Sequence, residues 1–317
     1  MADAKKKEVT FADVPREKLR VVGKNTQKMD ALTRPSLSFM QDAWRRIKKN
    51  KIAFACLIII AFYALMAIFV PILSPFDGST QSSADRNLGI TLAHWFGCDS
   101  LGRDMFVRVW EGGRVSLTIG FLAALINAVI GTCIGCTIGF YGGRLDTIMM
   151  RVVDILYGIP NLIVTMLVML VLGRGIHCLI IAMIIVDWIG ACRFARGEMM
   201  RLKNQDFVAA AKVLGVPDRA IIFRHILPNM LGLLITNLTM AVPNAIFKEA
   251  FLSFIGLGVA PPASSWGILA KEGIGVLRLY PLQLFFPAFF VCTTVLALNL
   301  LGDGLRDAFD PRLRGMD

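Results

Sequence analysis

The chain has 317 residues, of which 56% are hydrophobic, and its mean hydropathy is +0.62. Soluble domains are usually about 45–50% apolar, so this composition excludes an ordinary soluble globular protein. The formal net charge of +11 would suit a nucleic-acid-binding protein. However, the basic residues flank apolar runs and do not build a separate domain, which argues against that class.

The amino-terminal region is polar. Residues 1–35 carry many charges and few large apolar side chains, so we expect a loosely folded cytoplasmic tail. Residues 36–51 place Phe39, Trp44 and Ile47 at helical spacing, with basic residues on the opposite face. This pattern predicts an amphipathic elbow helix that contacts membrane lipid. A short flank that only stops transfer of the chain is the alternative.

Six stretches are long enough to span a membrane, which takes roughly 20 apolar residues. Five contain the uncharged runs 52–73, 115–143, 155–173, 229–247 and 279–302, and the sixth, 176–195, contains His177 and Asp187. We therefore predict an all-α integral membrane protein with six transmembrane helices. Their expected bounds are about 52–73, 115–140, 152–173, 176–195, 229–252 and 284–302, with an outer segment at 74–114, a polar loop at 196–228 and a carboxy-terminal tail at 303–317. The first stretch follows 51 polar residues, so it is not expected to be a cleavable signal peptide.

The basic residues set the expected orientation. Six spans put both termini on the same side of the membrane. The terminal segments and the loops at 141–151 and 193–229 hold 26 of the 34 Lys and Arg residues. Because cytoplasmic segments carry an excess of Lys and Arg, we expect both termini to be cytoplasmic.

No chemistry is predicted for the cysteine and histidine residues. Cys133 and Cys136 have metal-ligand spacing, but they lie within a span without a second pair, which favours packing. The three histidines are far apart, so no metal site is expected. The segment 97–103 imitates a phosphate-binding loop, but Arg103 and Asp104 replace its Lys and hydroxyl residue. We therefore assign no catalytic residues and no bound nucleotide to this chain.

Small and polar residues within the spans are the next candidates. Gly131, Gly135 and Gly139 recur every four residues and share one helix face, which predicts close helix packing or a contact that slides during gating. Ionisable or polar groups in a bilayer usually face protein or a water-filled path. The candidates for lining a translocation path are Asn127, Asn161, Asp187, Lys248 and Glu249, with satisfied packing contacts as the alternative. Pro160 and Pro243 are expected bend points.

A short helix is predicted inside the polar loop. Asp206 to Leu214 are helix-compatible, Gly215 can end the helix, and Pro217 prevents its continuation. Ala209, Ala210 and Ala211 give a patch of small residues, and Phe207, Val208 and Leu214 supply apolar contacts. A lone apolar helix exposed to water implies a binding partner.

This segment resembles the loop through which permease subunits of ATP-binding cassette (ABC) importers receive force from their ATPases. The family pattern is Glu-Ala-Ala, three residues, Gly, nine residues and Ile-x-Leu-Pro. The residues that the resemblance assigns to ATPase coupling are Asp206, Phe207, Ala209, Ala210, Ala211, Gly215, Leu227 and Pro228. Ala209 stands where the family has Glu, and His225 stands where it has Ile.

Further segments are similar to the dipeptide and oligopeptide permeases, specifically to the "C" permease of a heterodimeric pair. They include His94–Asp104, Gly112–Leu117, Phe223–Asn229, Glu249–Gly258 and the tail from Asn299 to Gly315. The resemblance implies the type I ABC importer fold in a bacterial or archaeal cytoplasmic membrane. It also implies a homologous second permease, two ATPases that bind ATP and Mg, an extracytoplasmic substrate-binding protein and a peptide substrate.

Two other functions remain open at the level of sequence. The same permease signature serves nickel, glutathione or other solutes. A secondary transporter driven by an ion gradient would instead use Asp187 and Glu249, although six spans, no visible inverted repeat and the coupling loop argue against it.

Overall fold

Long apolar runs fold into long helices, because a helix satisfies its own backbone hydrogen bonds where no water is present. The computed structural model describes residues 39–309. The helices are α1 (Phe39–Lys49), α2 (Lys51–Leu73), α3 (Met105–Tyr141), α4 (Gly143–Tyr157), α5 (Asn161–Leu172), α6 (Ile176–Lys203), α7 (Asp206–Val213), α8 (Asp218–Ala220), α9 (Leu227–Phe254), α10 (Trp266–Gly275) and α11 (Leu282–Phe309). A π-helical segment, Ile221–Ile226, joins α8 to α9. Of the described residues, those at 43–309 belong to one compact unit.

The transmembrane content agrees with the predicted all-α membrane protein. Within residues 39–309, five helices are long and apolar enough to cross a membrane: α2, α3, α6, α11 and the continuous stretch from α8 to α9. The pair α4 and α5 also passes as a span but is bent by 80°, which brings the total to six if the pair counts as one.

Several helices extend beyond the uncharged runs. Helix α3 begins at Met105, ahead of the expected 115, and α6 continues to Lys203, beyond the expected 195. The added turns contain charged residues such as Arg108 and Arg201. A charged residue ends the uncharged run but not the helix, because Arg and Lys are good helix formers. The tail at 1–35 and residues 310–317 lie outside the described residues.

The third span is interrupted where a continuous helix was expected over 152–173. Helix α4 ends at Tyr157, and α5 starts at Asn161 after Gly158, Ile159 and Pro160. Pro160 has no backbone N–H and cannot continue the ladder of α4, which explains the break. Pro243, the second expected bend point, lies inside α9, which remains one helix.

Helices α3 and α6 form the closest helix pair. A Cβ atom added to Gly131 would lie 2.5 Å from the carbonyl oxygen of Trp188, and one added to Gly135 would lie 2.3 Å from that of Cys192. At Gly139 the corresponding distance, to the carbonyl oxygen of Arg196, is 2.9 Å. The three glycines therefore let the backbones approach more closely than any side chain would allow.

The outer segment is fixed to the start of α3 by buried charges. Arg108 donates to Asp99 at 2.5 Å and to Glu272 of α10 at 2.7 Å, and Arg103 pairs with the same two carboxylates. Trp266 is fully buried and donates from Nε1 to the carbonyl oxygen of Val109 at 2.8 Å. These contacts hold α10 against the amino-terminal end of α3.

Candidate functional site

Helix α7 is closed by glycine in the left-handed conformation. Gly215 has φ +73°, a value that favours glycine, and the N–H of Val216 donates to the carbonyl oxygen of Ala211 at 3.1 Å. This bond and that from Gly215 N–H to Lys212 satisfy carbonyls that the helix end leaves open. The position therefore fixes where the helix stops and how the chain leaves it.

One face of α7 packs on the protein. Val208 and Ala211, one turn apart, are buried against a cluster that includes Phe140 of α3 and Met199 of α6. Lys203, at the end of α6, donates to the carbonyl oxygens of Gly139 at 2.7 Å and Phe140 at 3.2 Å. The helix is thus seated on the carboxy-terminal ends of α3 and α6.

The opposite face of α7 is exposed and mostly apolar, with the exposed Asp206 at its start. Phe207, Ala209 and Ala210 face solvent, as do Val213 at 88% and Leu214 at 80% exposure. Val208 and Ala211, which the sequence assigned to partner contacts, instead face inward, because residues three apart share a helix face. The sequence analysis did not name Val213, although its spacing from Ala209 and Ala210 places it on the same helix face.

The segment after α7 contributes one further exposed aromatic side chain. Phe223 in the π-helical segment is 65% exposed, whereas Ile221 and Ile226 are buried beneath it. Leu227 packs against the buried cluster, and Pro228 is in the first turn of α9. Pro228 has no N–H to donate, and the wider π-helical turn immediately before it keeps the helical stretch continuous. We call the exposed residues Phe207, Ala209, Ala210, Val213, Leu214 and Phe223 the loop surface.

A second feature is a cavity of about 400 Å³ between α3, α5, α6 and α9. It is lined by four of the five residues proposed from the sequence for a translocation path, which come from four different helices. These are Asn127 of α3, Asn161 of α5, Asp187 of α6 and Lys248 of α9. Asn244, which also lines it, was missed; its spacing of four residues from Lys248 on one helix was the signal.

The charged groups of the cavity are paired. Lys248 Nζ donates to the two carboxylate oxygens of Asp187 at 2.9 and 3.0 Å, and Asn161 Nδ2 donates to Oδ1 at 3.0 Å. Asn161 is the first residue of α5, directly after the bend, so the break in the third span places its amide at Asp187. Asn127 is 6% exposed, and its Oδ1 has no hydrogen-bond partner.

Glu249 does not line this cavity. Adjacent residues on a helix point roughly 100° apart, so Glu249 faces away from Lys248 and is fully buried. It accepts a hydrogen bond from Ser253 Oγ at 2.7 Å, its Oε2 has no hydrogen-bond partner, and Ser116 of α3 and Ser265 before α10 lie beside its carboxyl group. The residue therefore joins three parts of the bundle.

The described part of the chain contains no metal-binding cluster and no disulfide bond. Within residues 39–309, no group of three or more His, Cys, Asp or Glu side chains could hold a metal ion. All seven cysteines are free thiols. Cys98 in the outer segment is buried, and burial, followed by the charges of Asp104, Asp85 and Asp99, raises its pKa to about 11. It is therefore a neutral thiol at physiological pH.

Comparison with known proteins defines the class. Residues 131–315 match the family described as the binding-protein-dependent transport system inner membrane component. Residues 38–89 match the N-terminal transmembrane domain of oligopeptide transport permease C. The chain therefore belongs to the permease subunits of binding-protein-dependent ABC transporters, an assignment that also accounts for the all-helical fold.

Several individual permeases are similar to this chain along most of their length. The chain is 46% identical to the dipeptide transport system permease protein DppC of Bacillus subtilis (strain 168) over 95% of this chain and 94% of that protein. It is 45% identical to the oligopeptide transport system permease protein OppC of the same strain, over 95% and 99%. The glutathione transport system permease protein GsiD of Escherichia coli O6:K15:H31 is 40% identical over 86% of this chain and 90% of that protein.

Proposed function

We propose that this chain is one of two homologous permeases of an ATP-driven importer that takes up short peptides. The loop surface carries the proposal. An apolar surface of this kind on a helix at one end of the bundle implies a docked protein. In a permease of this family, that protein is an ATPase. The importer then contains two ATPases, which bind ATP and Mg, and an extracytoplasmic substrate-binding protein.

The proposed orientation follows from the ends of α3. Helix α7 is seated at the carboxy-terminal end of this 37-residue helix, and the segment before Met105 is fixed to its other end. At 1.5 Å per residue, α3 is long enough to separate these ends by the full membrane thickness of roughly 40–45 Å. The excess of basic residues near α7 supports a cytoplasmic location for it and for both termini.

The coupling role belongs to the segment that runs from α6 through α7 to α9. When the ATPases close on ATP, α7 moves with them. Because Val208 and Ala211 are packed on α3 and α6, the movement reaches the helices that line the cavity. Gly215, Leu227 and Pro228 fix the path of the chain between α7 and α9. The permease itself makes and breaks no covalent bond, so its work is a shift between two conformations.

The cargo is assigned from the relatives. The DppC and OppC permeases, at 46% and 45% identity, are named for dipeptide and oligopeptide transport. The polar cavity with Asp187 and Lys248 suits a substrate that carries both charges and amides. Glutathione is the second candidate, because GsiD is 40% identical over most of both chains.

The experiment tests ATPase docking with one exposed residue at each end of the bundle. The full-length chain is purified gently from its native membranes as wild type, Leu214→Asp or Leu92→Asp. Leu92 is 99% exposed in the outer segment and serves as the matched control. Co-purified subunits are identified by mass spectrometry, and ATP-driven uptake of labelled dialanine and glutathione is measured in cells.

We expect Leu214→Asp to lose the ATPases, while Leu92→Asp retains them. Wild-type recovery of the chain alone, with uptake that stops when an ion gradient is collapsed at constant ATP, would contradict the proposal and favour a secondary transporter. Uptake of glutathione but not of dialanine would support the ATP-driven importer and identify glutathione as its substrate.

A further inference from the structure

A groove of about 630 Å³ lies where the end of α2 meets the outer segment. Helix α2 contributes Met66, Phe69, Val70 and Leu73, and the outer segment contributes Leu92 and Trp95. Because Leu73 ends α2 and Met66 lies two turns earlier, the groove extends about 10 Å along the helix. One leaflet supplies roughly 15 Å of hydrocarbon, so the α2 wall of the groove lies within the depth of a single leaflet.

The polar side chains that line the groove already have partners. Asp104 accepts from the N–H of Val107 through Oδ1 at 2.8 Å, and its Oδ2 pairs with Nδ1 of His94 at 2.7 Å. Ser74 Oγ accepts from the N–H of Phe76 at 3.1 Å. These side chains have no need of a polar ligand, so the groove offers a mainly apolar surface.

The apolar side chains around the groove are exposed and contiguous. Leu92 is 99% exposed and Leu73 is 75% exposed, while Phe69 and Trp95 are also exposed. Single exposed apolar residues are common, but a contiguous group of this kind marks a site for protein or membrane. The indole N–H of Trp95 donates to the carbonyl oxygen of Leu92 at 3.1 Å, which leaves the ring itself as apolar surface. Tryptophan is enriched at the membrane–water boundary, where this wall would lie.

The surroundings of α2 favour membrane over protein. Phe62, Leu65, Phe69 and Ile72 are exposed at helical spacing, so the groove continues the exposed face of a membrane span. Helix α2 packs chiefly against α3 and α11. The polar cavity instead lies between α3, α5, α6 and α9. A second permease that shares a translocation path would contact the helices around that cavity, which leaves α2 facing lipid.

We propose that this groove binds one acyl chain of a phospholipid from the leaflet next to the outer segment. The chain lies along α2 from Leu73 towards Met66 and is covered by Leu92. The headgroup remains at the boundary beside Trp95. A bound chain buries side chains that are otherwise exposed, and burial of apolar surface stabilises the site. The inference goes beyond the proposed function, because it concerns a resident lipid and not the transported solute.

Photolabelling of the assembled transporter provides the test. The full-length chain is isolated in detergent with its accompanying subunits and titrated with phosphatidylethanolamine that carries a diazirine at the end of one acyl chain. After irradiation, mass spectrometry identifies the labelled residues. We expect saturable labelling that is concentrated at residues 66–76 and 92–106.

A pair of variants in the outer segment assigns the labelling to the groove. Leu92→Asp puts a carboxylate against the acyl chain, so the lipid concentration for half-maximal labelling should rise about tenfold or more. Ile90→Asp is the matched control, because Ile90 is 57% exposed in the same segment but does not line the groove. It should leave the labelling unchanged.

A second pair on α2 separates a site from general lipid contact. Phe69 and Ile68 are neighbours with 50% and 48% exposure, and Phe69 lines the groove whereas Ile68 does not. Phe69→Ser should weaken saturable labelling about tenfold through lost apolar contact, and Ile68→Ser should not. Thermal unfolding verifies that each variant is folded.

Three results would overturn the inference. They are labelling of the wild type that does not saturate, equal effects within either folded pair, and a photoreactive benzoylphenylalanine at position 92 that cross-links to another subunit in native membranes and not to lipid. The last result would make the groove a protein interface. Retention of the ATPases by the same samples tests the proposed function separately, so either idea can fail alone.

Discussion

Lys248 on α9 contacts both carboxylate oxygens of Asp187 on α6, at 2.9 and 3.0 Å. These two helices enter and leave the loop that contains α7, so the ion pair joins the two arms of the proposed coupling segment across the cavity. Any motion that separates α6 from α9 must break this ion pair unless the two side chains move together.

Removal of one partner should cost more than removal of both. We expect Lys248→Met to lower stability by about 1–3 kcal/mol, because it leaves the half-buried Asp187 carboxylate without its cation. The double variant Asp187→Asn/Lys248→Met should recover most of this loss, because no charge remains unpaired. Thermal unfolding of the purified variants measures both effects. A double variant less stable than Lys248→Met would show that the pair contributes more than mutual neutralisation.

The α3–α6 contact should not tolerate a methyl group. A Cβ at Gly135 would lie 2.3 Å from the carbonyl oxygen of Cys192, so Gly135→Ala should destabilise the protein by about 1–3 kcal/mol through overpacking. Gly190 on α6 has nothing within 4 Å of an added Cβ and is the matched control. Gly190→Ala should leave the unfolding temperature unchanged or raise it. Equal effects of the two variants would contradict the packing argument.

Helix α7 should depend on glycine at its end. Gly215→Ala places a Cβ at φ +73°, which costs about 1–2 kcal/mol in the left-handed region. We expect a loosened end of α7, retained membrane insertion and reduced ATP-driven uptake. Gly197 on α6 lacks both a positive φ and close neighbours, so Gly197→Ala serves as the comparison. Full uptake by Gly215→Ala would remove this position from the coupling segment.

Glu249 should stabilise the fold through hydrogen bonding. Glu249→Gln retains an oxygen that can accept from Ser253, whereas Glu249→Leu leaves the Ser253 hydroxyl group without this partner. We expect the Leu variant to be less stable by about 1–3 kcal/mol and the Gln variant to remain close to wild type. Unfolding temperatures of the two purified variants provide the measurement. The reverse order would mean that the carboxyl group itself is required.

Cys98 should make stability fall at high pH. Its pKa is raised from 9.0 to about 11, chiefly by burial. Between these values the unfolded thiol loses its proton while the folded thiol retains it, so the contribution of Cys98 to stability is complete below pH 9.0 and is lost as pH rises towards 11. Cys98→Ala should show a weaker decline over this window. Maleimide labelling at pH 8 should modify Cys98 only after unfolding.

Local pattern predicted the apolar spans and the short helix α7, but not α10 or the π-helical segment. Runs without charge predicted the spans, because a helix in hydrocarbon needs about 20 apolar residues whatever it packs against. Gly215 and Pro217 predicted the end of α7 for the same local reason. Helix bounds were harder to predict. Helix α3 starts at Met105 because Asp104 caps it by accepting from the N–H of Val107, and the pairs of Arg108 with Asp99 and Glu272 stabilise its first turns.

The tertiary structure decided which face of α7 is buried and which polar residues meet in space. Periodicity could not separate Val208 and Ala211, which pack on α3 and α6, from Val213 and Leu214, which are exposed, since all are small or apolar and only the neighbouring helix ends choose the buried face. Asn127, Asp187 and Lys248 were each visible as polar residues in apolar spans. Their meeting at one cavity required the close approach of α3 and α6 and the break before Asn161, both of which depend on contacts between residues far apart in the chain.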